Sequence, residues 1–207
     1  TACRSRRLAQ ADEPAQLTRD QAFIRASASK RSAYVGEQVV VTYTLFFDPR
    51  VQFRQIRLAD SWDAAGFWRE DLDVDDNPIP QRQVVDGISY STIVLKRVSL
   101  FATRAGELTV EPFRVATEAI VPPSRTRDPF GSLWGLRGRT VDARISSNPL
   151  RLDIQRLPPG APDGFGGAVG QFRMGTSVDR TSLETGQSAS LNVQVSGDGN
   201  LATLDPP

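Results

Sequence analysis

The densest chemical grouping in the chain is Glu70, Asp71, Asp73, Asp75 and Asp76, a run of carboxylates broken only by Leu72 and Val74. In an extended segment Asp71, Asp73 and Asp75 project to one side, an arrangement that could collect calcium. The EF-hand pattern fails, however, because Asp76 stands where that loop needs glycine and Arg82 where it needs a bidentate glutamate. A solvated acidic loop is therefore expected, and no metal is assigned. A hydrolase using two of Glu70, Asp71 and Asp73 is a weak alternative. Catalytic carboxylate pairs converge from separate elements, whereas these are near neighbours in one loop.

The rest of the inventory narrows the chemistry further. The chain has no histidine and a single cysteine, Cys3. Ser-His-Asp triads, Cys-His pairs, HExxH zinc sites and imidazole proton shuttles are absent by count, and the usual structural zinc shell cannot be assembled. Gly164, Gly166, Gly167 and Gly170 do not make a dinucleotide loop, since Val169 occupies the third glycine position and a Pro-rich stretch precedes it instead of a strand. No catalytic residue and no cofactor is assigned, and the chain reads as non-enzymatic.

Charge excludes further partners. Lys+Arg number 25 and Asp+Glu 24, a net charge of +1, which provides no general field toward nucleic acid. Lysine occurs only at Lys30 and Lys96, and the arginine bias is read as base composition of the source. The longest apolar run, Val39 to Phe47, falls well short of the roughly 18 residues a membrane span needs.

Large apolar side chains gather in Asp128-Pro129-Phe130-Gly131-Ser132-Leu133-Trp134-Gly135-Leu136. Phe130, Leu133, Trp134 and Leu136 in a Gly/Pro-punctuated loop are candidate partner contacts. The competing reading is a lid folded over the open end of their own domain. Trp62 and Trp68, beside Phe67, read as core. A cell-wall or carbohydrate-binding module, the alternative function, would instead use Trp68 or Trp134 as an exposed stacking platform.

The elements that must position these residues are strands. Val39, Val41, Tyr43 and Leu45 alternate with Gln38, Val40, Thr42 and Thr44, a period of two rich in β-branched and aromatic residues. A second run extends from Ile88 to Phe101 and a third from Leu108 through Val110 to Val115. Arg104-Ala105-Gly106-Glu107 between them predicts a hairpin. Shorter runs are Phe53 to Leu58, Gly66 to Glu70 and Leu150 to Ile154. No long segment has a helical period, so the fold class is all-β, an immunoglobulin-like sandwich.

An internal repeat divides the chain. A shift of 150 positions lays Ser27 on Ser177, Lys30 on Arg180, Ser32 on Ser182, Gly36 on Gly186 and Glu37 on Gln187, and Val39/Val41/Tyr43/Leu45 on Ala189/Leu191/Val193/Val195. Thr181-Ser182-Leu183-Glu184 matches a helix capping box, but its partner Arg31-Ser32-Ala33-Tyr34 leads into a strand, so a turn is expected. The predicted organisation is a lead or targeting remnant at 1–20, a first sandwich at 21–156, a Pro/Gly linker at 157–167, and at 168–207 the first strands of a second, truncated sandwich. Ala9-Gln10-Ala11 has the small-x-small form of a signal-peptidase site, with Arg4, Arg6 and Arg7 upstream.

The chain resembles the BatD family, the oxygen-tolerance proteins of bacterial aerotolerance operons. The matching residues are Val35-Gly36-Glu37-Gln38-Val39 into Tyr43-Thr44-Leu45, Arg104-Ala105-Gly106-Glu107-Leu108 ahead of Glu111-Pro112, Asp128-Pro129-Phe130 and Leu157-Pro158. Phe165 to Phe172 and Ser196-Gly197-Asp198-Gly199-Asn200-Leu201, with Pro206, complete the match. The resemblance implies tandem immunoglobulin-like domains at the periplasmic, extracytoplasmic face of the membrane. A signal peptide would precede them and a C-terminal transmembrane helix, absent from this chain, would supply the membrane contact. Implied partners are von Willebrand factor A-domain membrane proteins and other products of a MoxR-type operon, and no catalytic residues come with the family.

Overall fold

The computed structural model describes residues 17–122 and 138–201. Strand accounts for 59% of the described residues and helix for 1%, in several antiparallel sheets of which none closes, so the protein is an all-β sandwich.

The first layer is built on β3 (Gln38–Phe47), where Val39, Val41, Tyr43 and Leu45 are buried and the residues between them face outward. It lies between β1 (Ala22–Ala28) and the long β7 (Ile88–Ala102), both antiparallel to it. Two short strands share the far edge of β7. β5 (Phe67–Leu72) pairs with residues 97–102 and β6 (Gln81–Val85) with residues 88–92. The turn from β6 into β7 is Asp86-Gly87, both at positive φ (50° and 81°), as a two-residue type I′ hairpin requires.

The second layer is one long antiparallel ribbon broken once. β8 (Gly106–Val110) pairs with β11 (Leu150–Gln155), and β9 (Arg114–Val121) pairs with β10 (Arg139–Ser146). Val110 faces Leu150 and Arg114 faces Ser146, so the two ladders keep a single register across the break. At the break Pro112 and Pro149 have no N–H to give. Phe113 and Ser147 bridge it: Ser147 N–H donates to Phe113 O (2.9 Å) and Phe113 N–H to Ser147 Oγ (3.0 Å). β2 (Ser32–Tyr34) adds to β11 in parallel, and β4 (Gln52–Leu58) adds to β9 as the outermost strand.

Two expectations are corrected here. The run Leu108 to Val115 is two strands, because Pro112 interrupts it. The Arg104–Glu107 turn does not make a hairpin either: both edges of β7 are already taken, by β3 and by β5 and β6, and Gly106 (φ 118°) instead carries the chain across to the other layer. The main core fills the space between the layers. Ile24, Val41, Tyr43, Leu45, Val98 and Leu100 of the first meet Leu108, Val110, Val115, Leu152 and Ile154 of the second.

After β11 no strand occupies residues 156–169, and Val169 forms an isolated parallel bridge with Glu37. A lone antiparallel pair follows, β12 (Gly170–Val178) and β13 (Leu191–Gly199). Its register is that of β1 and β3 moved by 150 positions: Ser27 opposes Thr42, and Ser177 opposes Asn192. The hydrogen bonds repeat as well. Ser29 N–H donates to Val40 O and Val40 N–H to Ser29 Oγ, while Asp179 N–H donates to Ser190 O and Ser190 N–H to Asp179 Oδ1. Tyr34 N–H bonds the Glu37 carboxylate and Glu37 N–H returns to Tyr34 O. Glu184 and Gln187 do the same, around Gly36 (φ 79°) and Gly186 (φ 91°). The capping-box look-alike at 181–184 is thus a turn and not a helix start.

Candidate functional site

The acidic run does not stay on one strand. β5 ends at Leu72, so Glu70 and Asp71 are in the sheet while Asp73, Asp75 and Asp76 belong to the connection to β6. Asp71 is tied to Lys96 Nζ at 2.5 Å, and Asp75 Oδ1 accepts the N–H of Asn77. No three metal-ligating side chains converge among the described residues.

That connection forms one wall of a groove of about 370 Å³. Val74, Asp75, Asp76 and Pro78 face Ile56, Arg57 and Leu58 of β4, and the floor is Ile93, Leu95, Phe113 and Val115. The pairing pattern explains the opening. β5 covers β7 from 97 onward and β6 covers it up to 92, which leaves residues 93–96 with no strand on that side. β7 also bulges there, since Tyr43 pairs with Lys96 but Thr44 with Val94. Across the groove, β4 has β9 on one edge and no described strand on the other. Two unpaired stretches of backbone therefore border one apolar floor. The Arg57 guanidinium turns along its own strand to Gln55 Oε1.

Next to the groove a polar and aromatic plug closes the core. Trp62 is buried, donates its indole N–H to Glu111 O (3.2 Å), and lies beneath Arg69 and Lys96, whose charged groups sit 5.4 and 5.6 Å from its ring centroid. Arg69 also donates to Trp62 O at 2.6 Å. Tyr43 meets the indole edge-on at 5.7 Å and Phe113 at 4.8 Å. Among the described residues no group lies within hydrogen-bonding geometry of its hydroxyl, and burial, outweighing the neighbouring Trp62 indole, pushes its pKa above the usual tyrosine range, so it stays neutral. These contacts anchor the 59–66 segment and support a structural role for Trp62.

Trp68 departs from the sequence expectation. One residue after the inward Phe67, it points to the outside of the sheet, 46% exposed, and packs on Phe101 with centroids 5.1 Å apart. Strict alternation decides this; composition could not. Phe130, Leu133, Trp134 and Leu136 lie outside the described residues. A second, larger depression of about 660 Å³ crosses β4, β9 and β10, where Arg57, Glu118, Asp142 and Arg144 mix both signs of charge. Arg54, next to it, lies 4.0 Å from Glu118. The 93–96 opening escaped the sequence reading because β6 did. Its signal was available in Asp86-Gly87, a dipeptide that marks a tight hairpin.

Fold and groove together define an open-edged β-sandwich whose most distinctive described surface is an interrupted strand edge over an apolar floor. No protein-family model matches the chain, and comparison with curated proteins and with solved structures returns no match. No helix among the described residues is long and apolar enough to cross a membrane.

Proposed function

We propose that the chain is a non-enzymatic, extracytoplasmic protein of immunoglobulin-like sandwiches that works by binding other proteins. As the BatD resemblance implies, it would sit in a MoxR-associated envelope complex, be membrane-anchored in its full length, and act beside von Willebrand factor A-domain membrane proteins. The observation that carries the binding role is the groove bordered by the free edge of β4 and the uncovered 93–96 stretch of β7, since unpaired strand edges accept strands from other chains. The tandem arrangement is supported by the hairpin at 170–199, which repeats the register of the first strand pair. Crosslinking in intact cells followed by recovery of the crosslinked partner tests the reading. A von Willebrand-type membrane protein is the expected product, and its absence from all crosslinked species overturns that partner assignment.

A carbohydrate- or cell-wall-binding role is favoured by one feature, the exposed indole of Trp68 backed by Phe101. Glycan-array binding that Trp68→Ala abolishes would support it, and silence of the folded protein on the array would dispose of it.

A further inference from the structure

The groove also specifies its occupant. Resting on the partner-binding reading, we propose that it seats an extended segment of a partner protein, with apolar side chains at alternate positions and basic residues at the end that meets the 73–76 loop.

Three features combine to specify this. An added strand can hydrogen-bond along the free edge of β4, because no described strand uses that side. Every second side chain of such a strand drops toward the apolar floor, where Phe113 and Val115 are already buried and Ile56, Ile93 and Leu95 are only partly so and would be covered further. Leu58 at the rim is 53% exposed and would be covered by the same strand. The third feature is charge. Asp75 and Asp76 stand on the groove wall, with Asp73 beside them in the same connection, and no described salt bridge neutralises any of the three. Of the nearby cations, Lys96 is paired with Asp71, while Arg57 bonds the neutral Gln55 and keeps its charge on the opposite, β4 wall. The acidic end therefore favours Lys or Arg on the incoming strand and repels Asp or Glu.

The test uses two synthetic nine-residue peptides with the same alternating Val/Thr body, one ending in two lysines and the other in two glutamates. The folded chain is expected to bind the lysine peptide at least tenfold more tightly by fluorescence anisotropy, with the preference shrinking as salt rises. Asp75→Asn with Asp76→Asn should erase the preference, and both substitutions lie in a solvent-facing loop the core does not depend on. Leu58→Lys should weaken the lysine peptide tenfold or more. In an amide NMR spectrum the shifts should fall on β4 and residues 93–96. Equal binding of the two peptides, a preference that survives the Asn pair, or shifts confined to another surface would overturn the proposal. So would concentration-dependent broadening of β4 without peptide, which would make a second copy the occupant. None of these outcomes bears on whether a von Willebrand-type protein is crosslinked in cells, so this inference and the broader reading fail separately.

Discussion

The β1–β3 pair and the β12–β13 pair share one register and one set of turn hydrogen bonds, yet equivalent positions have opposite fates. Ile24 is 3% exposed and Met174, 150 residues on, is 74% exposed; Val41 is fully buried and Leu191 is 64% exposed. Turn chemistry alone therefore suffices to set the register, whereas burial depends on what covers the pair. In the first copy β7 lies alongside and the broken ribbon of β8–β11 lies opposite. Among the described residues the second copy has neither.

The largest expected effect breaks the comparison at its centre. Ile24→Ala removes a buried side chain paired with Leu45 and should cost about 3 kcal/mol. Met174→Ala, at the matching position, should change stability by less than about 0.5 kcal/mol. Denaturant midpoints measured for both variants check this. A comparable loss at Met174 would mean that the second face is covered in solution.

A smaller effect separates the turns. Gly36 and Gly186 both hold positive φ, so alanine at either position is strained by about 1 kcal/mol. Gly36→Ala should lower the midpoint of the whole sandwich. Gly186→Ala should leave that midpoint unchanged and show itself only as faster amide exchange at Gln187 and Ser190. Ser29→Ala deletes the acceptor for the Val40 amide and should cost on the order of 1 kcal/mol in global stability, whereas Asp179→Ala should again act only locally.

These pairs also show what could be read in advance. β3 announced itself because alternation over ten residues admits only one buried face, and β7 by its long run of β-branched and aromatic residues, although its last five residues are all buried. The repeat was legible because a positive-φ glycine and the residues around it must recur wherever the turn recurs. Other features depend on the third dimension. Nothing local to Arg104–Glu107 says that β7 is already flanked on both edges, so a hairpin signal became a crossing between layers. Trp68 looked like core because tryptophan usually is, but its place in β5 sets it outward. The groove was hidden for a related reason: it arises from a gap between two strands that share one neighbour, and no single stretch of sequence contains that gap.

The finest distinction between the two copies is one of charge. Glu37 is paired with Lys30 at 2.6 Å and bonded by the Tyr34 amide, whereas its counterpart Gln187 makes the same backbone bond without a charge. Partial burial pushes the Glu37 carboxyl upward, but the Lys30 and Tyr34 bonds outweigh it and hold its pKa below the ordinary 4.5. A carboxylate whose folded pKa is depressed stabilises the fold above its unfolded value, and that stabilisation is lost as pH falls through the folded value. Glu37→Gln, which makes the first turn resemble the second, should therefore destabilise by roughly 0.5 kcal/mol at neutral pH, a modest amount because the pair is partly exposed. The deficit relative to the parent should shrink once pH drops below about 4.5 and vanish in stronger acid. Asp48, held below its usual range by Arg50, is the same in both proteins and cancels from the difference. Urea midpoints of the two proteins from pH 7 to 3 measure it, and a deficit constant across that range would show that the Lys30–Glu37 pair contributes nothing to the turn.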